Sequence, residues 1–153
     1  KSPSRGPVSV RQIIDEALVR SETADAVAVD VQIPDETPVL FADPKQMVQV
    51  LRNLVTNAVQ AMPDGGRIRI QATPEDGMVA VSVTDTGTGM TEETLDRLFE
   101  PLFTTKAKGI GLGLAISKHL IEANGGSIDV ESQEGQGSTF TVTVPAADER
   151  ALG

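Results

Sequence analysis

Residues 67–85 read RIRIQATPEDGMVAVSVTD, and how they are read decides the fold. Ile68, Ile70 and Ala72 alternate with polar residues, and Val79, Val81 and Val83 do the same after PEDG. Alternation at period two puts every second side chain on one face, so two half-buried strands joined by a turn are predicted here. Strands joined so directly pair antiparallel. Working outward, VSVRQIIDEALVRSE (8–22) carries Val10, Ile13, Ile14, Ala17 and Leu18 on one helical face. Val27, Val29, Val31 and Ile33 alternate as a strand, and VLFA (39–42) is a short second one beyond Pro34 and Pro38. A helix is predicted from Pro44 to Met62, with Asp43 as N-cap, Gln46 at the capping-box position and Met47, Leu51, Leu54, Ala58 and Met62 as its buried stripe. Downstream, TEETLDRLFE (91–100) is a short helix capped by Thr91, and LAISKHLIEANGG (114–126) is a helix stopped by Asn-Gly-Gly. SIDVESQ and STFTVTVPA, joined by EGQG, are the last two strands.

Strands in hairpins, with helices set between the pairs, predict an α+β two-layer sandwich: one mixed, mostly antiparallel sheet with helices on one face. Neither GxGxxG nor GxxxxGK[ST] occurs in a strand-to-helix setting, which argues against a Rossmann or P-loop fold. At 153 residues the chain suits one domain, expected over 8–146, with KSPSRGP (1–7) as linker and 147–153 as tail. Four Phe and no Trp or Tyr leave the core to aliphatic side chains. The lack of cysteine excludes a disulfide frame and a thiolate zinc site. A net charge of −9 argues against a nucleic-acid partner and against contact with an anionic membrane surface. No apolar run approaches the ~20 residues needed to span a bilayer.

The hairpin delivers Asp85 into a glycine turn, Asp85-Thr86-Gly87-Thr88-Gly89-Met90. A second glycine loop, Gly109-Ile110-Gly111-Leu112-Gly113-Leu114, runs straight into a helix. Between them lies a polar segment bearing Lys106 and Lys108. A carboxylate, two glycine turns, a helix N-terminus and a basic segment suggest a purine nucleotide site. On the helix from Pro44, Asn53 and Asn57 are four apart and share a face; asparagine is a poor helix former, so the pair either serves a site or is a solvated face.

In order, the Asn-bearing helix NLVTNAVQAM, DTGTGM, LFEPLFTTK, GIGLGL and GQGSTF resemble the catalytic ATP-binding domain of sensor histidine kinases, in the superfamily with DNA gyrase, Hsp90 and MutL ATPases (the Bergerat-type fold). NAVQAMPDGG and FEPLFTTKAKGIGLGLAISKHLIEANGG are most similar to the nitrogen-regulator type. The resemblance implies that Asp85 accepts from the adenine amine, beside Gly87 and Gly89. It implies that Asn57 holds Mg²⁺ through its amide oxygen, with Asn53 facing the same cleft. Gly109, Gly111, Leu112, Gly113 and Leu114 would form the phosphate loop, and Lys106, favoured over Lys108, would neutralise the terminal phosphate. Thr139 is either an adenine-side contact or a plain strand threonine. Phe99 and Phe103 are either hinge anchors of a lid over 100–110 or core residues, and Gln60 touches phosphate or solvent.

The resemblance further implies a protein-histidine kinase that uses ATP and Mg²⁺. ATP-hydrolysing relatives place a Glu four residues before the metal Asn; here that residue is Asn53, and an amide cannot deprotonate water. This favours transfer to a histidine over hydrolysis. His119, the sole histidine, is followed by Leu120 rather than an acidic residue, and reads as a surface residue. The acceptor is therefore expected on a dimerisation hairpin upstream, with a response-regulator receiver domain as the next partner. The isolated domain is expected to be a monomer, its parent a cytoplasmic or membrane-anchored homodimer with its catalytic part in the cytoplasm. A related ATPase or serine kinase and a non-catalytic nucleotide-binding module are the alternatives.

Overall fold

The computed structural model describes residues 2–20, 26–101 and 113–147. In chain order the elements are β1 (Gly6–Val8), α1 (Val10–Arg20), β2 (Val27–Gln32), β3 (Leu40–Ala42), α2 (Pro44–Gln60), β4 (Gly66–Glu75), β5 (Met78–Asp85), α3 (Glu92–Arg97), α4 (Gly113–Ala123), β6 (Ser127–Ser132) and β7 (Ser138–Pro145). The main sheet has the order β2-β4-β5-β7-β6, antiparallel except for the β2–β4 pair. Val79, Val81 and Val83 of β5, with Phe140, Val142 and Val144 of β7, turn into one core with Ile13, Ile14, Met47, Leu54 and Ile121 of the helices. This is the α+β sandwich expected from the hairpins.

The central hairpin closes more tightly than its PEDG sequence suggests. Pairing runs to Glu75↔Met78, leaving Asp76 (φ 39°) and Gly77 (φ 81°) as a two-residue turn with both φ positive. Pro74 stays inside the strand because β2 ends at Gln32↔Gln71, so no neighbour needs its missing N–H.

Two features depart from the sequence reading. The first pair of strands is not a hairpin: β2 runs parallel to β4, with β3 and α2 in the connection between them. β3 pairs instead with β1, through Gly6↔Ala42 and Val8↔Leu40. Gly6 and Pro7 lie in the stretch read as a linker, yet the chain here is anchored. Val8 is buried, the Ser4 N–H donates to Asp43 Oδ2 (2.8 Å), and the Arg5 guanidinium sits 4.8 Å from the Phe41 ring centroid. At the other end the Ala147 N–H donates to Val39 O (2.8 Å), tying the first residue of the expected tail to the residue just before β3.

Candidate functional site

Asp85 ends β5 with its side chain on the helix-facing side, in register with Ile68 on one neighbour and Ser138 on the other. It is 4 % exposed, and its Oδ1 accepts from the Gly87 N–H (2.8 Å), which orients the carboxylate. The chain then turns against the last residues of α2. A Cβ at Gly87 would run into the Ala61 carbonyl, and the Thr88 N–H donates to that carbonyl (3.1 Å). Gly89, at φ +69°, abuts the Gln133 backbone, while Gly135 N–H donates to Thr88 O (2.7 Å) and Met90 N–H to Ser132 Oγ (2.9 Å). These glycines are thus required by approaches to protein backbone. The Asp85 turn is held between α2 and the β6–β7 connection.

The other border of the site is α4. Asn53 Nδ2 donates to Ser117 Oγ (3.0 Å), and a Cβ at Gly113 would stand 2.7 Å from Asn53 Oδ1. The first residue of α4 is therefore pressed against Asn53. Asn57 is one turn beyond Asn53 and one turn before Ala61, on the same face of α2. This helix works as a ruler: Ala61 touches the Asp85 turn, Asn53 touches the start of α4, and Asn57 lies between. Among the described residues four polar or charged side chains are buried: Asp85, Ser138, Ser117 and Asn124. Asp85 and Ser138 belong to the Asp85 end and Ser117 faces Asn53, whereas Asn124 stands past the far, C-terminal end of α4 against Asp43 and Gln46.

Residues 42–148 match the family model of the histidine kinase-, DNA gyrase B- and HSP90-like ATPases. The chain belongs to this ATPase family. It is 49 % identical over 111 residues to the sensor histidine kinase ZraS of Escherichia coli K12, covering 72 % of this chain and 24 % of ZraS. It is 44 % identical over 129 residues to sporulation kinase E of Bacillus subtilis 168, covering 81 % of this chain and 17 % of that kinase. The chain thus spans about a quarter or less of these relatives' length. Among solved structures, the catalytic domain of histidine kinase ThkA superposes with TM-score 0.82 at 31 % identity, covering 94 % of this chain and 96 % of that one. Full-length ShkA in complex with AMPPNP gives 0.84 at 31 %, covering 96 % of this chain and 32 % of that one. The domain is accordingly of the ATP-binding catalytic type found in sensor histidine kinases.

Within this ATPase domain, Asp85, Gly87, Gly89, Asn53, Asn57 and Gly113 are brought to one region, and Leu114 packs half-buried on the core beside it. Thr139 is not among them. In β7, Ser138, Phe140, Val142 and Val144 point to the helices, whereas Thr139 points away and shares a hydrogen bond (3.0 Å) with Thr84 on the helix-free face. The expectation for an adenine-side contact therefore moves by one residue to Ser138, paired with Asp85 and 6 % exposed. The alternation of STFTVTV carried that signal: Ser138 is in phase with the apolar residues. Lys106, Lys108, Phe103, Gly109, Gly111 and Leu112 lie outside the described residues. Phe99 is half-buried against the core with Lys118 Nζ 5.5 Å from its ring centroid, and Gln60 and His119 are exposed. Among the described residues no helix is long and apolar enough to cross a membrane.

Proposed function

We propose that this domain binds Mg-ATP and passes the γ-phosphoryl group to a histidine on a dimerisation domain outside this chain, from which a response-regulator aspartate is served. The observation that carries the reading is the ruler-like face of α2, which joins a buried carboxylate at a strand end to a helix N-terminus through Asn57. Asp85 accepts the adenine amine; an acceptor-only group favours adenine over guanine, which offers a carbonyl there. Ser138 stands beside it on the base side. The N-terminus of α4, whose first-turn N–H groups point along the axis out of the helix and whose dipole end is positive, receives the phosphates.

The residues present fit a magnesium ion. Asn57 offers a neutral, hard amide oxygen on the half-buried face between the two ends, and adds no negative charge beside a triphosphate. Magnesium bound there supplies charge neutralisation during transfer. Asn53 has its amide nitrogen engaged with Ser117 and its oxygen against Gly113, so its part is to seat α4. As an amide it also offers no base for water, which favours transfer over hydrolysis. We place Lys106 at the terminal phosphate and the domain on the cytoplasmic side, in a parent that works as a homodimer.

The test is phosphotransfer from labelled ATP to a supplied dimerisation hairpin, together with calorimetry. Asp85→Asn should weaken Mg-ATP roughly 10- to 100-fold, because an amide can turn a donor toward the base amine. Asn57→Ala should lower transfer on the order of 100-fold with the fold intact. Unaltered ATP affinity in the first variant, or unaltered transfer in the second, would refute the assignment of that residue.

A further inference from the structure

Asn124 is the only polar side chain at 0 % exposure among the described residues. It follows α4 at the helix stop, where Gly126 N–H donates to Ile121 O (2.9 Å) and Gly125 N–H to Glu122 O (3.0 Å), with Gly125 at φ +81°. That stop needs only glycine and leaves the identity of residue 124 open. The amide nevertheless makes three bonds. Its Oδ1 accepts from the Asp43 backbone N–H (2.8 Å), and its Nδ2 donates to Gln46 Oε1 (2.9 Å) and to Leu120 O (2.8 Å). Burying an amide is costly unless it is bonded, and an aliphatic side chain of like volume would fill the same space more cheaply. The bonds therefore supply direction that packing alone does not.

That direction becomes clear along the helix pair. Gln46 and Asn53 are seven apart on α2, and Asn124, just past the end of α4, is seven residues beyond Ser117. The pairs Gln46–Asn124 and Asn53–Ser117 are hydrogen-bonded, so α2 and α4 lie antiparallel with two side-chain clamps two turns apart. One clamp alone would let α4 pivot. Two fix its slide and its roll, and with them the place of Gly113 against Asn53.

We propose that Asn124 is a positioning residue for the phosphate end of the nucleotide site. It touches neither nucleotide nor metal. By pinning the C-terminal end of α4 to the N-cap of α2, it sets where the N-terminal N–H groups of α4 stand relative to Asn57. This rests on the functional reading above, in which that helix end receives phosphate. The base end is held separately, by the Gly87–Ala61 approach, and does not depend on Asn124.

The experiment uses the 153-residue chain and calorimetry with Mg-ATP and with AMP, below the thermal transition of each variant. Asn124→Leu should weaken Mg-ATP about tenfold and change AMP less than about twofold. Gln46→Met, which removes one acceptor and is the deciding variant where Asn124→Leu does not fold, should weaken Mg-ATP about threefold with AMP again unchanged. Equal losses for both nucleotides, or no loss for either in a folded variant, overturn the inference and leave the functional reading standing. A wild-type chain that binds neither nucleotide overturns both.

Discussion

The two ends of α2 are held by different means. At its C-terminal end the Asp85 turn is joined to it through main chain: the Ala61 carbonyl accepts from Thr88, and only a glycine at 87 fits against it. At its N-terminal end α4 is joined to it through side chains: Asn124 to Gln46, Ser117 to Asn53, and Asp43 capping the helix. A main-chain contact tolerates almost any side chain around it, provided the glycine stays. A side-chain contact can be altered one group at a time. The C-terminal end of α2 is therefore built as a fixed frame, and the end facing α4 as an adjustable one.

The sharpest way to break this contrast is Gly87→Ala. A Cβ there meets the Ala61 backbone, which cannot move without distorting α2, so a loss of roughly 2–3 kcal/mol in stability is expected. Gly77→Ala is the control. Gly77 has open space around it and a φ of +81°, so only backbone strain applies, about 1–2 kcal/mol. Urea unfolding of both variants measures the difference, and Gly87→Ala should also abolish adenine nucleotide binding while Gly77→Ala should not. Equal losses in both would mean that the Ala61 contact does not constrain the turn.

A smaller effect separates the two faces of β7. Ser138→Ala should weaken ATP severalfold, roughly 3- to 10-fold, by removing a hydroxyl beside Asp85. Thr139→Val should leave ATP affinity within about twofold, since its hydroxyl bonds Thr84 on the far side of the sheet. Calorimetry on both variants decides it, and the reverse order would return the base side to Thr139.

Most of this frame was legible in sequence because it rests on local rules. Period-two alternation placed β4 and β5, and Asp43 with Pro44 and the Asn-Gly-Gly stop placed the ends of α2 and α4. The order of the motifs along the chain carries the family resemblance, and the family match agrees with it. What escaped was non-local. β1 is three residues long and has no pattern of its own; it exists because β3 and Asp43 offer partners more than 30 residues away. The parallel β2–β4 pair escaped for the same reason, as two neighbouring strands in sequence need not be neighbours in a sheet. Gln46 fits a capping box by spacing, yet its side chain accepts from Asn124, a partner 78 residues distant that no local rule names. Ser138 alone was recoverable, from the phase of the apolar residues that follow it.

The smallest expected effect lies at the adjustable end and can be read by pH. Burial acts to raise the Asp43 pKa, but the backbone N–H groups of Ser4, Gln46 and Lys45, with the charge of Lys45, outweigh it and hold the carboxyl below its ordinary value of 3.8. The charged form is thus favoured by folding. Its contribution is fully present above the unfolded pKa and is lost as pH falls through the lower, folded one. Asp43→Ala should cost about 1 kcal/mol of stability, the usual worth of an N-cap, with a gap to wild type that is flat from about pH 7 to pH 5 and narrows below about pH 4. Asp43→Asn keeps a capping oxygen without a titrating group, so its own gap to Asp43→Ala should stay flat through the same range. A wild-type gap that widened in acid would mean that folding favours the protonated carboxyl, and would put the anchoring of Ser4 and of α2 on some group other than the Asp43 carboxylate.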